Sequence, residues 1–269
     1  MENNKSAFEE IQAHLEEIER KSNIRIIFAI ESGSRAWGFA SPDSDYDVRF
    51  IYVKHPEAYF NLGKAEDTLE YYPAPEMDMV GWDLGKYLKL IYKSNSVAFE
   101  WANSPIVYRK TDEWVQIAGL IEDYFNPKAS IYHYYGEGAH IFKANEKNST
   151  ISYKSYLYIL RVILAARYIK RHSKVPPMPF VELVEDNLPS ELKTSVTEIL
   201  ALKARIKEKD QEKRYTELDA FIREELPELK AYAESLALGE SKDITALNKI
   251  FFSAVIKDFW GLSMNLEER

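Results

Sequence analysis

The sequence predicts an α+β fold, with strands and helices mixed over residues 1–125 and helices alone over residues 126–269. Three observations support this division. Short β-rich runs alternate with helical patterns before residue 126. After Asn126-Pro127, almost every segment has the apolar period of a helix. The chain has 269 residues, 46% of them hydrophobic, which is enough for one large domain or two modest ones with a sizeable core.

The elements of the first half are predicted from the spacing of apolar residues. Phe8, Ile11, Leu15 and Ile18 recur at intervals of three and four and indicate an amphipathic helix before the first strand. Five β-rich runs are predicted strands: Arg25–Ile30, Val48–Val53, Leu69–Tyr72, Met77–Trp82 and Ile106–Tyr108. A helix is predicted from Leu84 to Lys93, with Asp83 as its N-cap.

The second half is predicted to be helical throughout. Its helices are expected around residues 129–145, 152–171, 190–208, 213–237 and 244–259. Lys174–Pro179 contains three prolines and is expected to be a rigid connector within this half. Lys203–Arg214 is rich in charge, which favours a solvated helix end or turn.

Composition and charge exclude several classes of protein. The chain has no cysteine, so disulfides and cysteine zinc sites are excluded, and a bound metal is expected on oxygen ligands. The polar, acidic N-terminus differs from a secretory signal, and no apolar run approaches the roughly 20 residues needed to cross a bilayer. We therefore expect a cytoplasmic protein with no membrane partner. The net charge of -8 argues against a protein that binds long nucleic acid over its whole surface, but it permits a local basic patch.

One stretch of the chain combines a phosphate-binding turn with two acids. The apolar run Ile26–Ile30 leads into Ser32-Gly33-Ser34, whose small side chains let backbone N–H groups approach an anion. Such a turn at a helix N-terminus binds phosphate. Asp45 and Asp47 follow at the head of a strand, where the period of two puts both carboxylates on one face, and Arg49 continues that face.

A third carboxylate is expected from a neighbouring strand. Asp78 interrupts an apolar run and is the first choice, with Asp83 and Glu100 as the alternatives. Two like charges near 4 Å repel by about 4 kcal/mol at an effective dielectric of 20, so such a cluster requires a cation. Carboxylate oxygens suit Mg²⁺, which shares its coordination between one or two carboxylates and substrate phosphates. The sequence therefore predicts a magnesium site.

The order of an apolar strand, Gly-Ser, Asp-x-Asp on a strand and a later acidic strand resembles the nucleotidyltransferase fold of the DNA polymerase beta superfamily. More narrowly, residues 24–172 look like a bacterial family of predicted nucleotidyltransferases associated with RNA repair. The runs that support this are GSRAWGFASPDSDYDVRFIYV, MDMVGWDLGKYLKLIYKSN, EWANSPIVY and YKSYLYILRVILAARYI. The resemblance implies a mixed-sheet nucleotidyltransferase domain over residues 1–125, a helical bundle over residues 126–269 and an NTP in the cleft between them.

The resemblance also assigns roles to individual residues. Gly33 and Ser34 would contact the β- and γ-phosphates, and Asp45 and Asp47 would bind both metal ions. Asp78 would complete the site and act on the acceptor hydroxyl, as base or metal ligand. The implied cofactor is Mg²⁺, as two ions, with Mn²⁺ as the alternative, because two metals clamp the attacking and leaving oxygens of an in-line displacement.

Five further residues are predicted to bind the NTP. Arg35 and Arg49 are not required by the superfamily motif, although the narrower family carries both. Lys154, Tyr158 and Arg161 fall on one stripe of a predicted helix, where they would lie over the triphosphate and base. The alternative is structural: the aliphatic parts of Lys154 and Arg161 would lie along apolar surface with their charges in water, and Tyr158 would pack in the core. On the first interpretation, Arg161→Ala would weaken substrate use with little loss of stability.

The predicted reaction is the transfer of a nucleoside monophosphate from an NTP, with ATP among the candidates, to an acceptor hydroxyl. Pyrophosphate is released. The association with RNA repair places the acceptor on an RNA 3′ end. The rivals are nucleotidylation of a protein or small molecule and a catalytically silent nucleotide- or RNA-binding module. Retention of Gly33, Ser34, Asp45 and Asp47 argues against the silent module. The sequence leaves the identity of the NTP and the oligomeric state open.

Overall fold

The sheet of the first half is mixed, as predicted. The computed structural model describes residues 2–63, 66–205, 213–237, 239 and 242–266. Within them lie the strands β1 (Ile24–Glu31), β2 (Tyr46–Lys54), β3 (Thr68–Ala74), β4 (Met77–Asp83) and β5 (Val107–Lys110). Their order in the sheet is β3-β4-β2-β1-β5. β1 is antiparallel to β2 and β5, β2 is parallel to β4, and β3 is antiparallel to β4. All five predicted strands are present.

The helices of the first half include two that were predicted and several short ones that were not. They are α1 (Glu2–Ser22), α2 (Gly33–Ala36), α3 (Pro56–Tyr59), α4 (Leu84–Tyr92), α5 (Ser96–Ala102), α6 (Asp112–Ile121) and a 3₁₀ helix over Glu122–Tyr124. The N-cap prediction for α4 is confirmed, because the Asp83 carboxylate accepts a hydrogen bond from the Gly85 N–H. The unpredicted helices α2, α3 and α5 are too short for a helical period to stand out. The sequence also missed α6, which has ten residues, although its buried residues Trp114, Ile117 and Ile121 have helical spacing.

Both faces of the sheet are covered. The alternation of β2 supplies both cores, since Phe50 and Tyr52 pack on the side of α1 while Ile51 and Val53 pack on the side of α4, α5 and α6. An irregularity in β1 puts the consecutive residues Ile27 and Phe28 into the second core. The functional residues discussed below lie at the end of the sheet where β1 finishes and β2 and β4 begin.

The second half forms a bundle around one buried helix. Its helices are α7 (Pro127–Asn145), α8 (Tyr153–His172), α9 (Phe180–Asn187), α10 (Lys193–Lys203), α11 (Thr216–Ser235) and α12 (Thr245–Leu266), with a 3₁₀ helix over Ser190–Leu192. α8 is apolar on most of its circumference and packs against α7, α9, α10 and α11. Residues 174–179 connect α8 to α9, as predicted. Of the charged segment Lys203–Arg214, residues 206–212 lie outside the described residues.

The last helix packs against elements of the first half of the chain. Leu247, Ala254 and Val255 of α12 are buried in the core between the sheet and α4, α5 and α6. Phe251 meets the ring of Tyr59 at 5.4 Å between centroids. The apolar stripe of α12 thus covers the first half of the chain, although its sequence lies in the second. Over the described residues, no helix is both long and apolar enough to span a bilayer.

Candidate active site

Asp47 and Asp78 are brought together by the register of two parallel strands. Asp47 on β2 is the direct partner of Asp78 on β4. Both side chains lie on the face of the sheet that carries α4 and α5, because Val48 and Met79, their neighbours in sequence, pack on the opposite face. The strand register therefore makes the third carboxylate predicted from sequence an immediate neighbour of the second.

Gly33 allows the turn after β1 to lie directly against Asp47. Gly33 has φ +59°, and a Cβ added there would overlap Asp47 Oδ2. The backbone joins the two segments as well, since the Ser32 N–H donates to the Asp47 carbonyl at 2.8 Å. Ser34 is buried in the first turn of α2. Only glycine permits both this backbone conformation and this close approach.

Arg49 bridges the two carboxylates. Its Nη2 lies 3.0 Å from Asp47 Oδ1 and 2.8 Å from Asp78 Oδ2, and its Nη1 donates to the Asp78 carbonyl at 3.0 Å. Burial raises the pKa of the Asp47 carboxyl, whereas Arg49 lowers it and the charges of Asp78 and Asp45 raise it further. The guanidinium thus offsets part of the repulsion that the sequence predicts for this cluster.

Asp45 lies in an exposed loop that Arg35 holds in place. Arg35 Nε donates to the Asp45 carbonyl at 3.0 Å, and Nη2 donates to the Ser44 carbonyl at 2.7 Å. The guanidinium also stacks on Tyr46, 3.8 Å from the ring centroid. Arg35 therefore fixes the backbone that presents Asp45, and its predicted contact with an NTP stays a prediction.

The oxygen donors of the site fit a magnesium ion that is shared with a substrate. Asp78 Oδ1 is buried and has no hydrogen-bond partner, and Asp47 Oδ2 lies directly against the backbone of Gly33, where the phosphate-binding turn begins. In the described part of the chain, no three His, Asp or Glu side chains are close enough to hold a metal ion by themselves. Because Mg²⁺ commonly uses one or two carboxylates together with phosphate oxygens, a site completed by a triphosphate agrees with this geometry.

Glu31 is a site residue that the sequence did not single out. Its side chain is 0% exposed. Oε1 accepts a hydrogen bond from the Asp47 N–H at 2.8 Å, and Oε2 accepts one from the Tyr108 hydroxyl at 2.6 Å. Burial raises the pKa of Glu31 to about 7, against the lowering effect of these two hydrogen bonds. The signal in the sequence was an acid that ends an apolar strand immediately before the Ser-Gly-Ser turn.

Two of the residues predicted on α8 lie on the same side as the phosphate turn. Lys154 is exposed, and its charge lowers the pKa of Asp47. Its Nζ lies 5.8 Å from the centroid of the Tyr158 ring. Tyr158 in turn meets Trp37 edge to face, with 5.0 Å between centroids, and Trp37 directly follows α2. The second half of the chain thus contacts the element that begins with Gly33.

Arg161 is placed differently from the prediction. Its side chain is only 4% exposed, and Nη2 lies 2.8 Å from Glu100 Oε1, which also accepts a hydrogen bond from the Tyr134 hydroxyl. Its guanidinium stacks 4.1 Å from the centroid of the Trp37 ring. An arginine in the interior requires an anion, and here it joins α8 to α5. This burial does not agree with a position over the triphosphate.

Glu100 and Asp83, the two acids considered as alternatives to Asp78, contact other parts of the protein. Glu100 holds Arg161 at the joint between α5 and α8. Asp83 caps α4 and accepts a hydrogen bond from the Tyr59 hydroxyl at 2.7 Å. Asp83 also lies at the opposite end of β4 from Asp78. Of the three acids weighed from the sequence, Asp78 is the one beside Asp47.

Comparisons with known proteins identify relatives of this chain. The family model described as RlaP, RNA repair pathway DNA polymerase beta family, matches residues 8–253. The uncharacterized protein YcgL of Bacillus subtilis (strain 168) is 38% identical over 249 residues, which are 91% of this chain and 95% of that protein. The uncharacterized protein MJ0002 of Methanocaldococcus jannaschii is 29% identical over 140 residues, 50% of this chain and 56% of that protein.

One solved structure is also similar. It is a nucleotidyltransferase-like protein from Exiguobacterium sibiricum 255-15, which shares 11% sequence identity. The match covers 87% of this chain and 74% of that one, with a TM-score of 0.27.

Proposed function

The chain belongs to the RNA repair pathway DNA polymerase beta family, and we propose that it is a metal-dependent nucleotidyltransferase. It transfers a nucleoside monophosphate from an NTP to an acceptor hydroxyl and releases pyrophosphate. The observation that supports this most directly is the meeting of Asp47, Asp78 and Gly33 at one end of the sheet. Two carboxylates beside a phosphate-binding turn are what a metal-bound triphosphate requires.

The proposed cofactor is Mg²⁺, with Mn²⁺ as the alternative, which Asp47 and either Asp45 or Asp78 would hold together with phosphate oxygens of the NTP. When bound, it neutralises charge on the phosphates and activates the attacking oxygen. Gly33 and Ser34 receive the β- and γ-phosphates on the backbone N–H groups of their turn. Where Asp78 does not bind the metal, its Oδ1, which has no hydrogen-bond partner, accepts the proton of the acceptor hydroxyl.

The remaining residues orient the substrate or the site. Lys154 and Tyr158 approach the triphosphate and base from α8, on the side of the phosphate turn. Arg49 keeps Asp47 and Asp78 together and presents a cation next to the phosphates. Arg35 holds the loop of Asp45. We leave Arg161 out of the NTP-binding set because its guanidinium is buried against Glu100.

We propose an RNA 3′ end as the acceptor. The support is the family, whose description names an RNA repair pathway. A terminal ribose hydroxyl is an alcohol that a general base such as Asp78 can deprotonate. Nucleotidylation of a protein or a small molecule uses the same chemistry on another hydroxyl and is the rival.

The test is a transfer assay with each α-labelled NTP and Mg²⁺ or Mn²⁺. The acceptors are RNAs with free 3′ hydroxyls, nicked RNA, protein and an aminoglycoside. We expect label on RNA from the wild type, none from Asp47→Asn, and wild-type transfer from Asp123→Asn, which changes an exposed acid away from the site. Equal activity of Asp47→Asn and the wild type, or no transfer to any acceptor, would contradict the enzyme proposal. Label on protein or aminoglycoside alone would contradict the RNA acceptor.

A further inference from the structure

The order of the strands determines the side from which an acceptor approaches. Gly33 follows β1, Asp47 lies on β2, Asp78 lies on β4, and β3 forms the edge beyond Asp78. In phosphoryl transfer, the attacking and leaving oxygens lie roughly in line on opposite sides of the phosphorus. If the β- and γ-phosphates lie on the Gly33 turn, the acceptor therefore has to enter from the side of β4 and β3.

Tyr72 is the large exposed side chain on that side. It is 63% exposed. The preceding residue, Tyr71, packs into the core under α1 on the opposite face of the sheet. The Tyr72 hydroxyl donates to Glu70 Oε2 at 3.1 Å. Thr68, two residues before Glu70, contacts Lys86 of α4, so this row of β3 shares the face that carries the predicted catalytic residues.

Tyr72 also lies close to Asp78. β3 pairs with β4 in a register that joins Glu70 to Val80 and Tyr71 to Met79. The register then shifts before Ala74 pairs with Met77, so Tyr72 and Pro73 lie opposite Asp78 within this irregularity. The hydrogen bond to Glu70 raises the pKa of the Tyr72 phenol, and the charges of Asp78 and Arg49 act on that pKa as well. The ring is therefore within electrostatic reach of the proposed acid–base group.

We propose that Tyr72 is the stacking platform for the terminal base of an RNA acceptor, with Glu70 fixing the orientation of its ring. This inference rests on the proposed function. An exposed aromatic ring next to the acceptor side is the chemistry that receives an unpaired base. Neighbouring strands are about 4.8 Å apart, so a nucleoside whose 3′ oxygen is at Asp78 extends its base toward β3.

The charge around Tyr72 limits how the acceptor is held. Glu70 and Glu76 are exposed on the same edge and Asp78 lies beside them, so phosphates are repelled there. The contact is therefore made through the uncharged face of the base, with the phosphodiester chain directed away from β3. Because few phosphates are neutralised, we expect the affinity for RNA to depend weakly on salt.

The experiment compares Tyr72→Ala and Tyr72→Phe with Phe252→Ala, a control that removes a 64% exposed aromatic from α12. The probe is a single-stranded RNA with 2-aminopurine at its 3′ end, whose fluorescence is quenched by stacking. Quenching needs no catalysis. The transfer assay then gives KM for RNA and for NTP separately, and thermal unfolding tests the fold of each variant.

We expect quenching with the wild type and Phe252→Ala, weaker quenching with Tyr72→Phe, which keeps the ring but loses the hydrogen bond to Glu70, and its loss with Tyr72→Ala. Tyr72→Ala should also raise KM for RNA at least about fivefold, with KM for NTP and the melting temperature unchanged. Wild-type quenching and KM in Tyr72→Ala would overturn the proposal, as would a Tyr72→Phe variant as impaired as Tyr72→Ala. Absence of transfer by the wild type to every acceptor would instead contradict the proposed function, while the quenching result still decides whether Tyr72 stacks on RNA.

Discussion

Arg49 lies between the two carboxylates that are predicted to bind metal. From the sequence, Asp45→Asn or Asp47→Asn is expected to leave the metal-free fold as stable or slightly more stable, because one of several repelling charges is removed. The structure adds an attraction that opposes this repulsion, since Arg49 Nη2 contacts both Asp47 and Asp78. The stability of an Asp47 variant therefore reports the sum of two opposite effects, and a change at Arg49 separates them more clearly.

Arg49→Met should lower the stability of the metal-free protein, because Asp47 and Asp78 then face each other without the counter-charge of Arg49 between them. We expect a loss of about 1–2 kcal/mol, less than for a buried ion pair, because solvent screens the partly exposed carboxylates of Asp47 and Asp78. Mg²⁺ should recover part of this loss, which thermal unfolding with and without the ion will measure. Arg109→Met is the matched control. Arg109 Nη1 lies 2.6 Å from Glu19 Oε2, and this ion pair is away from the site. An equal Mg²⁺ effect in both variants would contradict a metal site at Asp47 and Asp78.

Gly33→Ala should impair the site more than the fold. The left-handed conformation costs about 1–2 kcal/mol for any residue with a Cβ, and the added methyl displaces the Asp47 carboxylate. Gly38→Ala is the control, since Gly38 has φ +83° but nothing within 4 Å of an added Cβ. We expect a larger loss of unfolding free energy in Gly33→Ala than in Gly38→Ala, because the Asp47 carboxylate must also move, and loss of NTP transfer only in Gly33→Ala. Equal transfer activities would mean that contact with Asp47 is unimportant.

The buried Glu31 should make stability depend on pH. Its pKa rises from 4.5 to about 7 on folding, so the native state binds the proton more tightly than the unfolded chain. The wild type should therefore lose stability as the pH rises from about 4.5 to about 7, by up to about 3 kcal/mol. In Glu31→Gln this part of the pH dependence should disappear. Denaturant unfolding at several pH values without metal measures the difference, and parallel curves for the two proteins would contradict it.

At the scale of elements, α8 holds the helical half against the phosphate turn. Arg161 joins α8 to α5 through Glu100, and its guanidinium stacks on Trp37, which follows α2. The Phe180 N–H also donates to the Trp37 carbonyl at 2.9 Å. Two segments of the second half thus fix the residue next to the turn of Gly33. The position of that turn relative to Asp47 therefore depends on the packing of the bundle.

Arg161→Met should destabilise the protein, contrary to the small loss of stability that the sequence predicts for Arg161→Ala. Without its partner, Glu100 remains as an unpaired charge between α5 and α8, which costs about 3–5 kcal/mol. The double variant Arg161→Met/Glu100→Gln should regain much of this loss. Denaturant unfolding of the single and double variants measures the coupling. A single variant as stable as the wild type would show that the ion pair is unimportant for the joint.

At the scale of the whole molecule, metal and triphosphate should bind together. Mg²⁺ shares its coordination between carboxylates and phosphates, and the described residues provide no closed set of three acidic ligands. We expect small increases in melting temperature with Mg²⁺ or NTP alone and a larger increase with both. A non-hydrolysable NTP analogue keeps the assay at equilibrium. Equal shifts by the analogue with and without Mg²⁺ would contradict a shared site.

The sequence by itself determined the elements and the local chemistry of this protein. Period two and helical spacing predicted all five strands, α1, α4 and most of the bundle, because these patterns depend on residues close in the chain. The Ser-Gly-Ser turn, Asp45 and Asp47 were recognisable for the same reason. Asp83 as a helix cap is likewise a contact between near neighbours.

Only the tertiary structure decided which distant residues meet. The parallel register of β2 and β4 puts Asp78 beside Asp47, and the packing of α8 on α5 turns Arg161 toward Glu100 and away from the predicted triphosphate. Glu31 contacts the Asp47 backbone from the neighbouring strand, and α12 covers the sheet although its sequence belongs with the bundle. An apolar stripe or a buried charge indicates that a packing or charge partner is needed. Strand order and helix packing determine which residue is that partner.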